Sequence, residues 1–391
     1  MSSSREKLCL IQALCGRMME SSSPEGFAMS FRSRFVGCLL VLSLASVALA
    51  QAPANTTGPA GAGASPSPGY ASNPKFQAAL KEAKEFEAHK QLGFAGDAYK
   101  KANKIAGGQC VECLRPLFSS QMASGSYKDA IATASAMEAL LTTPATKATA
   151  EFLRGEAMLA QAGDKPKPAQ LEAVDAVLKQ AIANSPKGAA IHYLDGETLA
   201  KMGKMEEAKV EFETCVSCAS PTDPARLRAQ HFAANPELST KKMAPAFVVT
   251  ALDGSKFNLD AMGGRVVLID FWATWCGPCN EELPHMKKIA KEFAGQPLVI
   301  ISVSWDQDEV KWKDFVAKNE MTWVQYRDAD HALTNSFGIS AIPHYFTIDS
   351  DGILTSEMLG EGSDVEGKLK KLVAKAREAQ AATTVAQAAG N

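Results

Sequence analysis

The sequence predicts two domains of different class, an all-α array of paired helices followed by an α/β domain. Three observations carry this. Between residues 75 and 238, glycine, alanine and aromatic markers recur with a period of about 34 residues, the length of a helix pair. After Pro236 and Pro245 the pattern changes to strands alternating with helices. An apolar run, "RVVLIDFW", then leads into "CGPC" and an amphipathic stretch. A chain of 391 residues accommodates two such cores.

The first 50 residues read as a leader. From Met29, the expected true start, Arg32 and Arg34 form a short basic segment and Phe35 to Val47 an apolar run. Ala48-Leu49-Ala50 is a small-x-small cleavage pattern, so the segment reads as an export signal cut after Ala50. An uncleaved N-terminal membrane anchor is the alternative, although the apolar run is short for a bilayer. Residues 51–74 are rich in Ala, Gly, Pro and Ser and read as a flexible linker.

Within 75–238 the fourth unit is clearest, with Gly196, Gly203, Ala208, Phe212 and Pro221. Small residues let helices approach, an aromatic fills the gap, and proline stops the second helix. The third unit carries Gly155, Gly163, Ala173, Val177 and Pro186, and the second carries Gly125 and Ala130. The first has Gly93 and Ala98, and the marker alanines are separated by 32, 43 and 35 residues. The long step contains an insert around "GDKPKPAQ". These units resemble tetratricopeptide repeats (TPR), and the resemblance implies a solenoid with a concave face for a protein partner.

In the second domain, "AFVVTALDGSKFNL" reads as a hairpin turning at Asp253-Gly254. "RVVLIDFW" and "PLVIISVSW" read as buried strands, and "CNEELPHMKKIAKEF" and "DEVKWKDFVAKNE" as helices. "HYFTIDSDGILTSEM" is a second hairpin, "DVEGKLKKLVAKARE" closes the domain over 244–380, and residues 381–391 read as a disordered tail.

The 41 basic and 43 acidic residues are nearly balanced, which argues against a nucleic-acid binder. Residues 71–242 hold 22 basic and 20 acidic groups, net +2, and residues 243–380 hold 14 and 20, net −6. The two parts differ electrostatically, though this names no partner.

Nine cysteines are present, and the six beyond the leader form three C-x-x-C pairs: Cys110/Cys113, Cys215/Cys218 and Cys276/Cys279. In an exported protein such pairs favour disulfide chemistry. Cys276 follows a buried strand and opens a helix, where unpaired N–H groups and the helix dipole lower a thiol pKa. Cys279, one turn on and expected to be more buried, can resolve a mixed disulfide formed on Cys276. Gly277 and Pro278 form the loop between them, and Pro278 suits a first helical turn. Pro284, deeper in the helix, is expected to kink it. A structural disulfide and half of a zinc site are the competing readings. No further Cys or His follows at finger-like spacing, and His285 reads as a solvated helix residue. Cys110/Cys113 and Cys215/Cys218 fall at helix ends and read first as candidate structural disulfides bracing the repeats. Reduced packing thiols, and redox or metal roles, stay open for them.

The segment "DFWATWCGPC" resembles the active site of the thioredoxin superfamily. The longer pattern "APAFVVTALDG…VVLIDFWATWCGPCNEELP…FGISAIPHYFTIDSDG" is similar to the TlpA/ResA-like branch of exported thiol–disulfide oxidoreductases. The resemblance implies a thioredoxin fold with a helix inserted in its centre, and a redox-active Cys276–Cys279 disulfide with no bound cofactor or metal. It implies a cis-proline at Pro343 facing the cysteines, with the Ile342 backbone pairing with substrate. Asp270 matches a buried proton-exchanging acid, and Glu282 matches an acid found near the disulfide in the exported branch. That branch often has Asn where Asp270 stands, so this chain carries both candidate acids. Trp275 is expected to shield the site and contact substrate, or to act as core filler. His344 replaces a common Thr and reads as an inert strand histidine or as an electrostatic influence on Cys276.

These residues together imply an exported thiol:disulfide oxidoreductase. It is expected to reduce a protein disulfide, to draw electrons from a membrane thiol donor, and to dock a protein partner through its repeats. Two other classes compete. A thiol peroxidase of the redoxin kind needs P-x-x-x-T-x-x-C around its reactive cysteine, which "WATWCGPC" lacks. A repeat-based scaffold with a redox-regulated clasp would bind partners without exchanging thiols.

Overall fold

The computed structural model describes residues 69–223 and 225–389. The expected leader, and the linker up to residue 68, lie outside them. A 3-10 turn at Gly69–Ser72 sets Tyr70 edge-on to Phe76, so the tail of the expected linker already belongs to the fold.

Among the described residues nine helices follow: α1 (Pro74–Ala88), α2 (Leu92–Ile105), α3 (Val111–Ala123), α4 (Tyr127–Leu140), α5 (Pro144–Ala162), α6 (Pro168–Asn184), α7 (Ala189–Lys201), α8 (Met205–Cys218) and α9 (Ala225–Ala234). The first eight form four consecutive pairs. Gly125, Gly163 and Gly203 turn their pairs with φ of 72°, 72° and 80°, a region costly for residues with a Cβ. In the first pair Lys90 adopts φ 56° in this role, while Gly93 lies inside α2. The close approaches are real where expected. A Cβ on Gly196 would sit 2.7 Å from the Phe212 ring, and one on Gly155 would sit 2.8 Å from Leu178. The third unit differs in register. Ala173 is exposed, and Leu171, Val174 and Leu178 form the packed stripe at helical spacing.

The chain then passes through a 3-10 turn, Pro236–Thr240, into the α/β domain. This connection is pinned. Ala244 N–H donates to the Gly352 carbonyl and Leu354 N–H to the Lys242 carbonyl, at 3.1 and 2.8 Å. Met243 packs with Phe212, Phe232 and Ile353, joining the last helices to the α/β domain. Arg228 on α9 grips Asp260 through Nε and Nη2 at 2.8 and 2.7 Å, both side chains being buried.

The α/β domain holds a hairpin, β1 (Val248–Thr250) and β2 (Lys256–Asn258). Then come β3 (Val266–Trp272), α10 (Gly277–Glu292), β4 (Leu298–Ser304), α11 (Glu309–Lys318), β5 (Val324–Arg327) and α12 (Ala332–Ser336). β6 (His344–Ile348), β7 (Leu354–Leu359) and α13 (Val365–Ala389) complete it. The sheet order is β5-β4-β3-β6-β7, with β4 parallel to β3 and β5, and β6 antiparallel to β3 and β7. This is a thioredoxin fold, with α11 and β5 inserted between its βαβ half and its hairpin half. Strand β3 is buried on both faces. Val266 and Leu268 pack with Met286, Ile289 and Leu369, whereas Val267, Ile269 and Phe271 pack with Phe337 and Phe346.

Two elements were not legible. β5 and α12 span only four and five residues, too few for a period to register. The expected disordered tail is instead helical to Ala389. Its residues are mostly good helix formers with no Gly or Pro before Gly390.

Candidate active site

Strand β3 delivers the chain, buried through Ala273, to the N-terminus of α10. Thr274 is held there by Asp306, which accepts from its N–H at 2.9 Å and its hydroxyl at 2.5 Å. Cys276 is the N-cap of α10, with φ −83° and ψ 108°. That extended backbone swings its side chain back over the first turn. Its Sγ is bonded to Cys279 Sγ, with Cα atoms 5.3 Å apart, and accepts the Cys279 N–H at 3.2 Å. The same amide would donate to a Cys276 thiolate once the bond is reduced, and the helix dipole favours that anion. Pro278 occupies the first turn and α10 runs on through Pro284 to Glu292. A Cβ on Gly277 would meet nothing within 4 Å.

The expected contrast in burial is absent: Cys276 and Cys279 are each 6 % exposed. Both join a cluster with Trp272, Trp312, Val316 and Ile342, which covers the pair from the side of α11. Position on the helix, and not exposure, distinguishes the two sulfurs. Trp275 is 65 % exposed, so it is not core filler. The Ile342–Pro343 peptide is cis, and Ile342 lies ahead of the β6 ladder, which starts at His344.

Asp270 sits in mid-β3, 4 % exposed. Burial pushes its carboxyl up to about 7, opposed by a 2.8 Å hydrogen bond from the Ser302 hydroxyl and assisted by the charge of Glu282. Glu282 is not a solvated helix carboxylate. It accepts from Gly362 N–H at 2.7 Å and stands 3.1 Å from His285 Nδ1. His285 is likewise not solvated in the expected way, because it lies between Glu282 and Glu366. His344 is buried against Phe346, with ring centroids 4.9 Å apart, and its Nε2 meets Glu357 at 3.1 Å. It shares the face of Phe346, opposite the face on which Tyr345 meets α10 and α13.

Sequence reading missed Ser302, Trp323 and Asp306. Ser302 is fully buried and accepts the Trp323 Nε1–H at 2.8 Å. The available signal was two serines, 302 and 304, in an otherwise apolar buried strand, since a buried hydroxyl needs a partner.

The other pairs behave differently. Cys110 is the N-cap of α3 and is bonded to Cys113, both fully buried. Cys215 and Cys218 are free thiols, contrary to the bracing disulfide expected there. They fall in the last turn of α8 with helical backbone at both positions. Neither position is an N-cap, unlike Cys110 and Cys276, which open their helices. Burial pushes the Cys215 thiol up to about 12, leaving an inert packing group.

Residues 239–373 match the Redoxin family. Thiol-disulfide oxidoreductase ResA of Bacillus thuringiensis (strain Al Hakam) is 32 % identical over 143 residues, 36 % of this chain and 83 % of that protein. The chain belongs to the ResA-type thiol-disulfide oxidoreductase family. ResA of Bacillus subtilis (strain 168) is 27 % identical over 129 residues, 33 % of this chain and 72 % of that protein. Among solved structures, the thioredoxin domain of a thiol-disulfide oxidoreductase from Bacteroides vulgatus is 29 % identical. It matches 34 % of this chain and 96 % of its own, with a TM-score of 0.31. The Redoxin match begins at residue 239 and ends at 373, so the enzyme assignment rests on the α/β domain. The paired helices stand outside it.

Proposed function

We propose that the protein is an exported reductant of protein disulfides, with Cys276 as nucleophile and its paired helices, read as TPR-like repeats, docking a protein partner. The observation that carries the chemistry is the Cys276–Cys279 bond at the N-terminus of α10, with the Cys279 amide directed at Cys276 Sγ.

In the reduced enzyme the Cys276 thiolate attacks a substrate disulfide and expels one substrate thiolate. Cys279 loses its proton and attacks Cys276 Sγ in the mixed disulfide, expelling the second thiolate. The substrate gains two electrons, one of its thiolates taking the proton released by Cys279 and the other a proton from solvent, and the enzyme is left as the Cys276–Cys279 disulfide. Asp270 takes the Cys279 proton. Its carboxyl near 7 suits a base working at neutral pH. Glu282, fixed by Gly362 and His285, contributes charge that keeps Asp270 basic, and so acts as the second acid of the site. Ile342 and Trp275 form the strip against which the substrate segment lies, next to Pro343. The cysteine pair carries the electrons, so no bound cofactor is required, and a membrane thiol donor restores the dithiol. Cys110–Cys113 is a structural brace, being fully buried.

The test is insulin reduction by the full chain with dithiothreitol as donor. The wild type should accelerate it and Cys276→Ser should not. Equal rates with and without the protein would sink the proposal.

A further inference from the structure

We infer that Ser302, oriented by Trp323, is a positioning residue that holds Asp270 ready to accept a proton. The inference deepens the reading of Asp270 as the base for Cys279. Its ground is the direction of a buried hydrogen-bond chain.

An indole N–H can only donate, and a serine hydroxyl has one hydrogen to give. Trp323 Nε1 donates to Ser302 Oγ at 2.8 Å, so that lone pair is occupied. The hydroxyl hydrogen is then directed to Asp270 Oδ2, also at 2.8 Å. Both Ser302 and Asp270 are buried, and β3 and β4 place them side by side, Asp270 pairing with Ser302 in register. Water therefore competes little for either bond. A bond donated to the carboxylate favours its charged form, the form that can take a proton. The chain thus counteracts the burial of Asp270, which pushes the other way.

The remaining titratable groups around Asp270 do not duplicate this. Glu282 on α10 raises the Asp270 carboxyl by its charge. Tyr345 on β6 pairs with Asp270 across the sheet, and burial and the nearby acids hold its phenol neutral. Ser302 and Trp323 come from β4 and from the residue preceding β5, so the inserted α11–β5 segment supplies part of the site. Trp323 also packs with both the Met286 cluster and the Cys276–Cys279 cluster, which fixes its ring.

The experiment is a carboxyl carbon-13 NMR titration of the reduced full chain, with the Asp270 signal assigned by Asp270→Asn. Ser302→Ala should raise the Asp270 midpoint by about one pH unit, the scale of a lost hydrogen bond to a charged group. Trp323→Phe, which keeps the ring and removes the N–H, should raise it less. Ser302→Thr should return it toward wild type. Midpoints unchanged or lowered in Ser302→Ala, or in Trp323→Phe should the first variant not fold, would overturn the inference. A parallel assay separates it from the reading beneath. Reduced protein is mixed with 5,5′-dithiobis(2-nitrobenzoate), and the second release of thionitrobenzoate, by Cys279, is followed against pH. If Asp270→Asn leaves the inflection of that release in place, Asp270 is not the base. The NMR shift would still decide the role of Ser302.

Discussion

At the scale of single residues, the two sulfurs of the site differ by backbone position. Cys276 caps α10 and Cys279 lies one turn inside it. Replacing Cys279 by Ser should therefore trap substrates as mixed disulfides on Cys276, released by dithiothreitol. Replacing Cys276 by Ser should trap none. Non-reducing gels of the purified variants with oxidised insulin check this, and equal adducts in both variants would contradict it. This chemistry was legible in the sequence because strand, C-G-P-C and helix are contiguous. The free state of Cys215 and Cys218 was not, since the same spacing at a helix C-terminus gives a different geometry. Nor was the partner of Asp270, because Ser302 lies 32 residues away and only strand pairing brings it near.

At the scale of elements, the paired helices stand on a few close approaches. Adding a methyl at Gly196 drives into the Phe212 ring, a buried and rigid neighbour. The overpacking cost of about 1–3 kcal/mol outweighs the helix-propensity gain of up to about 1 kcal/mol. Gly196→Ala should thus lower the unfolding midpoint. Gly93→Ala, inside α2 with nothing within 4 Å of the added Cβ, should leave it unchanged or raise it slightly. Thermal melts by circular dichroism distinguish these outcomes, and a stabilised Gly196→Ala would mean that α7 and α8 are not packed as described. Gly125, Gly163 and Gly203, which turn the second to fourth pairs, stood among the sequence markers, whereas Lys90, which turns the first, did not. The shift from Ala173 to Val174 was not readable, because the long step before this helix leaves its marker spacing from the preceding unit irregular.

At the scale of the whole molecule, burial carries a pH signature. Glu156, Asp195 and Asp270 are each at most 5 % exposed, and desolvation pushes each carboxyl up to about 7. Folded protein then binds more protons than unfolded protein between about pH 4 and pH 7, so stability should fall as pH rises through that window. Glu156→Gln should remove part of the fall, read as melting temperature against pH. A wild-type midpoint that rises across the window would contradict these assignments. The joint between the helices and the α/β domain is a second whole-molecule feature. Arg228 and Asp260 are both buried, and Arg228→Ala would strand the Asp260 carboxylate at a cost of about 3–5 kcal/mol. That variant should melt earlier and expose the connecting segment to limited proteolysis. No sequence period announces this ion pair, because it joins residues 32 apart across the domain boundary.

The central claim is that Cys276 and Cys279 form a reducing couple. Its most direct test is their reduction potential in the full chain, equilibrated in glutathione or dithiothreitol buffers. Differential alkylation and peptide mass spectrometry would read this pair separately from Cys110 and Cys113. A value near about −270 mV, the range of reducing thioredoxins, is the predicted result. A value near about −120 mV, that of a strong disulfide donor, would reverse the direction of electron flow and contradict the account.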